Sequence, residues 1–131
     1  MANTKYTPGL WKRKTASAQI KLFEGTGDCV INGKKIGEYI TRKDLFENVF
    51  TPLKVCKLKD KMYFHADVEG SGVSAQSQAI MYGLAKALAS TDATLRKILK
   101  SAGLMTVDAR QVERKKPGHH KARKSSQWSK R

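Results

Sequence analysis

Arg114, Lys115, Lys116, Lys121, Arg123, Lys124, Lys130 and Arg131 place eight cations in the last 18 residues, with no Asp or Glu among them. A guanidinium can hold two oxyanion oxygens in one plane and an ammonium is a compact point charge, so the chemistry open to this run is the binding of phosphate groups. With little apolar material beyond Ala122 and Trp128, the run cannot bury itself and must take its order from an external polyanion. The other 113 residues hold 18 basic and 11 acidic side chains, a net of +7, so the end segment supplies +8 of the total +15. A nucleic acid fits best, because its closely spaced phosphates release counterions when Lys or Arg replaces them. A membrane surface fits poorly: the run shows no apolar residues at i, i+3, i+4, and Pro117-Gly118 interrupts any helix.

Other candidate chemistry is sparse. Lys12, Arg13 and Lys14 form a second basic group, readable as phosphate contacts or as a solvated strand edge. Cys29 and Cys56 stand far apart with no Cys-x-x-Cys pattern, which argues against zinc and against a disulfide framework and for reduced, partly buried thiols. His119-His120 lacks a third ligand nearby, and His65 reads as an ordinary strand residue. Gly70 to Ser74 could offer backbone N–H groups to a phosphate or simply join two elements. Trp128 could stack on a base or pack against sugar or protein. With no Walker pattern, Ser-His-Asp set, carboxylate pair or metal cluster, the chain reads as a non-enzyme without a cofactor.

The elements that must position these residues follow from periodicity. Residues 16 to 23 alternate as a strand, Gly25 to Asp28 offers a turn, and Cys29-Val30-Ile31 reads as the return strand. Asn32-Gly33 is the strongest hairpin signal. Thr41 to Asp44 starts a helix with Leu45, Phe46, Val49 and Phe50 on one face, ended at Pro52. Leu53 to Leu58 and Met62 to Val68 read as strands; in the second, Met62, Phe64, Ala66 and Val68 share one face and Tyr63, His65, Asp67 and Glu69 the other. Ser74 is the expected cap of a helix carrying Ile80, Leu84, Ala87 and Leu88, in which Gly83 points to close packing. Thr91 or Asp92 caps a second helix, with Leu95, Ile98, Leu99 and Ala102 inward and Gly103 as its stop. Met105 to Val107 is a candidate last strand. The length suits one domain, residues 1–109, plus a basic tail, residues 110–131. No secretory signal and no bilayer-spanning run is read in it. The expected architecture is α/β of the two-layer α+β kind: a mixed four- to five-stranded sheet with helices on one face.

Several motifs occur together and in order. Asp108-Ala-Arg-Gln-Val-Glu-Arg-Lys-Lys-Pro-Gly118, Lys121-Ala-Arg-Lys124 and Gln127-Trp-Ser-Lys-Arg131 resemble the C-terminal signature of the ninth protein of the small ribosomal subunit, bacterial or organellar type. Gly70-Ser-Gly-Val-Ser74, Ala79 to Leu88 and Gly9-Leu-Trp-Lys-Arg-Lys-Thr15 resemble that family's glycine loop, following helix and basic amino-terminal motif. Trp128, Ser71, His119-His120, Ser125-Ser126 and Leu10-Trp11 depart from its usual residues.

The resemblance implies a left-handed β-α-β crossover, the opposite of the general rule. It also implies a place in the head of the small subunit, in a cytoplasmic or organellar ribosome, beside other head proteins. Its implied contacts to small-subunit rRNA are Lys12, Arg13, Lys14, Arg110, Arg114, Lys115, Lys116, Lys121, Arg123 and Lys124. Ser129, Lys130 and Arg131 are implied at the anticodon stem-loop of peptidyl-site tRNA. Eighteen extended residues reach roughly 60 Å, far enough to enter crevices between RNA helices. A tRNA-processing ribonuclease subunit would need an Arg-Asn-Arg motif that is absent, and a DNA architectural protein a basic recognition helix that is also absent.

Overall fold

Ala16, Ala18, Ile20 and Leu22 alternate with the exposed Gln19 and Lys21, and this period of two makes Ala16–Glu24 (β2) the spine of the sheet. In a computed structural model that describes residues 5–130, β2 pairs antiparallel on one side with Thr7–Arg13 (β1) and on the other with Met62–Glu69 (β5). Val30–Ile31 (β3) then pairs parallel with β5, and Lys34–Lys35 (β4) closes the far edge, giving the order β1-β2-β5-β3-β4. This is a mixed five-stranded sheet with helices, the α+β class expected. Asn32 and Gly33 take the positive φ of the β3–β4 hairpin, at 51° and 80°. The Asn32 amide extends the pairing: it donates to the Val68 carbonyl and accepts from the Val68 N–H, both at 2.8 Å.

Four readings change. Thr7–Arg13, for which only Lys12 to Lys14 carried a strand-edge reading, is the β1 edge strand. Residues 29 to 31 do not return beside β2, because β5 already occupies that side; they pair with β5 instead. The proposed strand at 53 to 58 is helical over Thr51–Val55 (α3), since proline is accommodated in a helix's first turn and Pro52 and Leu53 are both buried there. Met105 to Val107 forms no strand. Ile36–Tyr39 (α1), Lys43–Val49 (α2) and α3 together fill the connection from β3 to β5.

Val73–Thr91 (α4) packs on β1, β2 and β5, burying Ile80, Leu84 and Leu88 completely. Gly72, rather than Ser74, occupies its cap position. A Cβ on Gly9 would meet the Gly83 carbonyl oxygen at 2.4 Å, and one on Gly83 would meet Ile20 Cγ1 at 2.8 Å. These two glycines therefore set how closely α4 approaches the sheet. Ala93–Ser101 (α5) is capped by Asp92, whose side chain accepts from Thr94 N–H at 3.0 Å. Of its expected inward residues only Leu99 is fully buried; Ile98 is exposed. Gly103 turns the chain at φ 78°, Leu104 is buried, and no helix or named strand follows among the described residues. The sheet face away from α4 carries the exposed Gln19, Lys21, His65, Asp67 and Glu69.

Candidate nucleic-acid interface

The two basic groups of the sequence, about a hundred residues apart in the chain, meet where the tail leaves the domain. Strand β1 ends at Arg13, and the tight turn to β2 places Lys14 at φ 54°, a left-handed conformation unfavourable for any residue with a Cβ. Lys14, Arg13 and Arg110 line a shallow depression of about 300 Å³ with Gln111 and Val112. Lys12 is exposed and pairs across the sheet with Ser17. Gly70 abuts the same turn: a Cβ there would meet the Thr15 carbonyl oxygen at 2.3 Å, so close packing explains this glycine without any ligand.

Arg13, expected among the phosphate contacts, is turned inward with its side chain only 8 % exposed. Its Nε donates to Gln78 Oε1 at 2.8 Å and its Nη1 to the Arg110 carbonyl at 2.5 Å, while Nη2 lies 3.5 Å from Asp108 Oδ2. Alternation along β1 puts residues 9, 11 and 13 on the α4 side, which is why the middle residue of a basic triplet points away from solvent. Asp108 also accepts from the Arg110 backbone N–H at 3.1 Å and from its guanidinium at 2.8 to 3.2 Å. These bonds from Arg110, followed by the charge of Arg13, hold the Asp108 carboxyl far below the usual carboxylate range, and the hydrogen bond and charge of Asp108 in turn push Arg110 upward.

Beyond the root, the tail is not extended throughout. Gly118, at φ 82°, reverses the chain, and His120 N–H donates to the Lys124 carbonyl at 2.8 Å across an isolated bridge between His119 and Ser125. The Ser125 and Ser126 hydroxyls each lie 3.1 Å from a ring nitrogen of His119 and His120 respectively. Glu113 closes this loop from the other side, accepting from Lys116 Nζ and, at 2.9 Å, from Arg123 Nε. Those two cations hold its carboxyl below the usual range.

Arg114, Lys115, Lys121, Lys124 and Lys130 have no acidic partner among the described residues. Trp128 is 79 % exposed. Ser129 and Lys130 lie at the exposed end, and Arg131 lies outside the described residues. The structure thus brings Arg13, Lys14 and Arg110 together at the root, and Lys116 and Arg123 together on Glu113. Gln78, Asp108 and Glu113 escaped the sequence reading as partners. Glu113 stands three residues before Lys116 and carried a signal in that spacing; Gln78 and Asp108 carried none.

Cys29 and Cys56 are free, partly buried thiols, and burial pushes both thiols up. Among the described residues no group of three His, Cys, Asp or Glu could hold a metal ion, and no helix is long and apolar enough to cross a membrane. Comparison with protein families returns a match to ribosomal protein S9/S16 over residues 11–131, which takes in the Arg13 strand end, helix α4 and the whole basic tail. That span is nearly the entire chain, and the protein accordingly belongs to the ribosomal protein S9/S16 family, a structural and non-enzymatic component of the ribosome.

Proposed function

We propose that this chain is a structural constituent of the small-subunit head, in a bacterial-type cytoplasmic or an organellar ribosome. Its basic residues bind small-subunit rRNA beside neighbouring head proteins, and its last residues touch peptidyl-site tRNA. The observation that carries this reading is the convergence of Lys14 and Arg110 at the root of a cationic thread in a chain of this family. Lys12, Lys14, Arg110, Arg114, Lys115, Lys116, Lys121, Arg123 and Lys124 serve as the rRNA contacts. They position the protein through phosphates, because recognition of folded RNA rests largely on shape and backbone. Lys116 and Arg123 exchange the Glu113 carboxylate for phosphate oxygens when RNA arrives. Ser129, Lys130 and Arg131 reach the anticodon stem-loop, where a planar guanidinium suits two phosphate oxygens at once.

Ordering the tail costs on the order of 1 to 2 kcal/mol per residue of backbone entropy, so only many simultaneous ionic contacts can hold it. If about six cations meet phosphates, rRNA affinity falls roughly a thousandfold between 50 and 200 mM salt. Removing Ser129 to Arg131 leaves subunit assembly near normal and weakens peptidyl-site tRNA binding by about tenfold or more, the loss of one or two charge-assisted hydrogen bonds. Filter binding of tRNA to programmed subunits tests this, and unchanged affinity refutes the tRNA contact.

A further inference from the structure

We propose that Arg13 is a positioning residue whose guanidinium clamps the root of the tail to the domain and fixes where the basic thread departs. This rests on reading the tail as an RNA-binding thread. Lys and Arg are almost never fully buried unless paired, and Arg13 is 7 % exposed in a chain with a surplus of cations, so its burial requires a structural reason. The reason lies in its partners. Gln78 belongs to α4, Arg13 itself ends β1, and Asp108 and the Arg110 carbonyl belong to the departing chain. One planar fork joins three parts of the molecule that backbone pairing does not join.

Arginine is required for this geometry. Its Nε, Nη1 and Nη2 point to different acceptors at once, whereas a lysine places one nitrogen on a flexible stem and cannot span all three. Asp108 lies between two guanidiniums of opposite character: Arg110, 85 % exposed, faces solvent, and Arg13, 8 % exposed, faces inward. An arginine so enclosed, with a carboxylate beside it, is poorly placed to meet RNA. The last buried residue before the tail is Leu104, followed by Met105 packed partly against the core, and without the clamp the chain is free beyond Met105. Binding then has to order residues 106–110 as well as the thread, and the thread starts from many directions instead of one.

Charge separates the clamp from a direct phosphate contact. Asp108→Ala raises the net charge by one and removes an anion beside two arginines, so it strengthens RNA binding if Arg13 acts on phosphate and weakens it if Arg13 acts as a clamp. Arg13→Lys keeps the charge and loses the fork. For both full-length variants we expect about tenfold weaker binding to small-subunit rRNA, equal to about 1.4 kcal/mol. In the free proteins, the ¹H–¹⁵N heteronuclear NOE of Ala109 and Val112 should fall to the value of the tail's end, while the sheet resonances keep native dispersion. Unchanged NOE values in Asp108→Ala overturn the clamp, and so does rRNA affinity equal to or above wild type in that variant. Should Arg13→Lys fail to fold, Asp108→Ala, which lies outside the core, decides alone. If the wild-type protein does not bind the rRNA, the proposed function fails, and the NOE arm still decides whether the clamp exists.

Discussion

Gly9→Ala should destabilise the domain by about 2 kcal/mol, because the added methyl has nowhere to go. It would stand 2.4 Å from the Gly83 carbonyl oxygen and 3.1 Å from Ala87 Cβ. The nearer atom is backbone, so no rotamer change relieves it, and β1 or α4 must retreat by roughly 1 Å to reach an ordinary contact distance. Helix α4 is held by the fully buried Ile80, Leu84 and Leu88, which makes that retreat expensive. Overpacking of this kind costs about 1 to 3 kcal/mol, and a backbone clash belongs at the upper end. The lower unfolded-state entropy of alanine returns about 0.4 to 1 kcal/mol. The net figure lowers the thermal midpoint by roughly 8 °C for a domain of this size.

Gly37→Ala is the control: it lies in α1, a Cβ there meets nothing within 4 Å, and it should be neutral or slightly stabilising. Combining Gly9→Ala with Gly83→Ala should cost less than the sum of the two, since one outward shift of α4 relieves both crowded contacts. Urea and thermal unfolding give the answer directly. A Gly9→Ala midpoint equal to wild type would show that the approach of β1 to α4 is not set by these glycines.

Two further predictions concern the site. Asp108 has a depressed folded pKa, so its contribution is complete above its unfolded value near 3.9 and is lost only as pH falls below that toward the folded value. Amide exchange at Arg110, corrected for the intrinsic rate, should therefore show the same protection at pH 5 as at pH 7; loss of protection by pH 5 would contradict the pairing. Lys14→Asn relieves a left-handed residue with a side chain that tolerates it, so stability should hold or rise by several tenths of a kcal/mol while rRNA affinity falls severalfold. Parallel denaturation and filter-binding curves check both halves, and an unchanged affinity would remove Lys14 from the interface.

Where one interaction dominated, the sequence announced its element. Strands β2 and β5 bury one face and alternate cleanly, and Asp92 and the Asn32-Gly33 pair carry the chemistry their cap and turn require. Residues 53 to 58 misled because a short apolar run buries equally well as helix or strand; only the space beside α4 and α5 decides, and that space is made by distant residues. Strand β1 was hidden for a related reason. Its inward residues are Gly9, Trp11 and Arg13, none of them a β-branched core residue, because a helix backbone passes over the first, Tyr82 stacks on the second and the tail root ties down the third.

The same division runs through the site. The tail's charge was legible because net charge needs no fold to be counted, and the proposal that it meets phosphate starts from composition alone. Which cations stay free for that task was not legible. Arg13 sits between Lys12 and Lys14 and carries the same charge as they do, yet the strand's period of two sends it inward and a carboxylate from near the other end of the chain meets it there. Glu113 works in the same way within the tail, fastening Lys116 and Arg123 and leaving Lys115, Lys121 and Lys124 to solvent. A basic thread therefore owes its shape to its few acids: two carboxylates, Asp108 and Glu113, decide which of its lysines and arginines are tethered and which stay free.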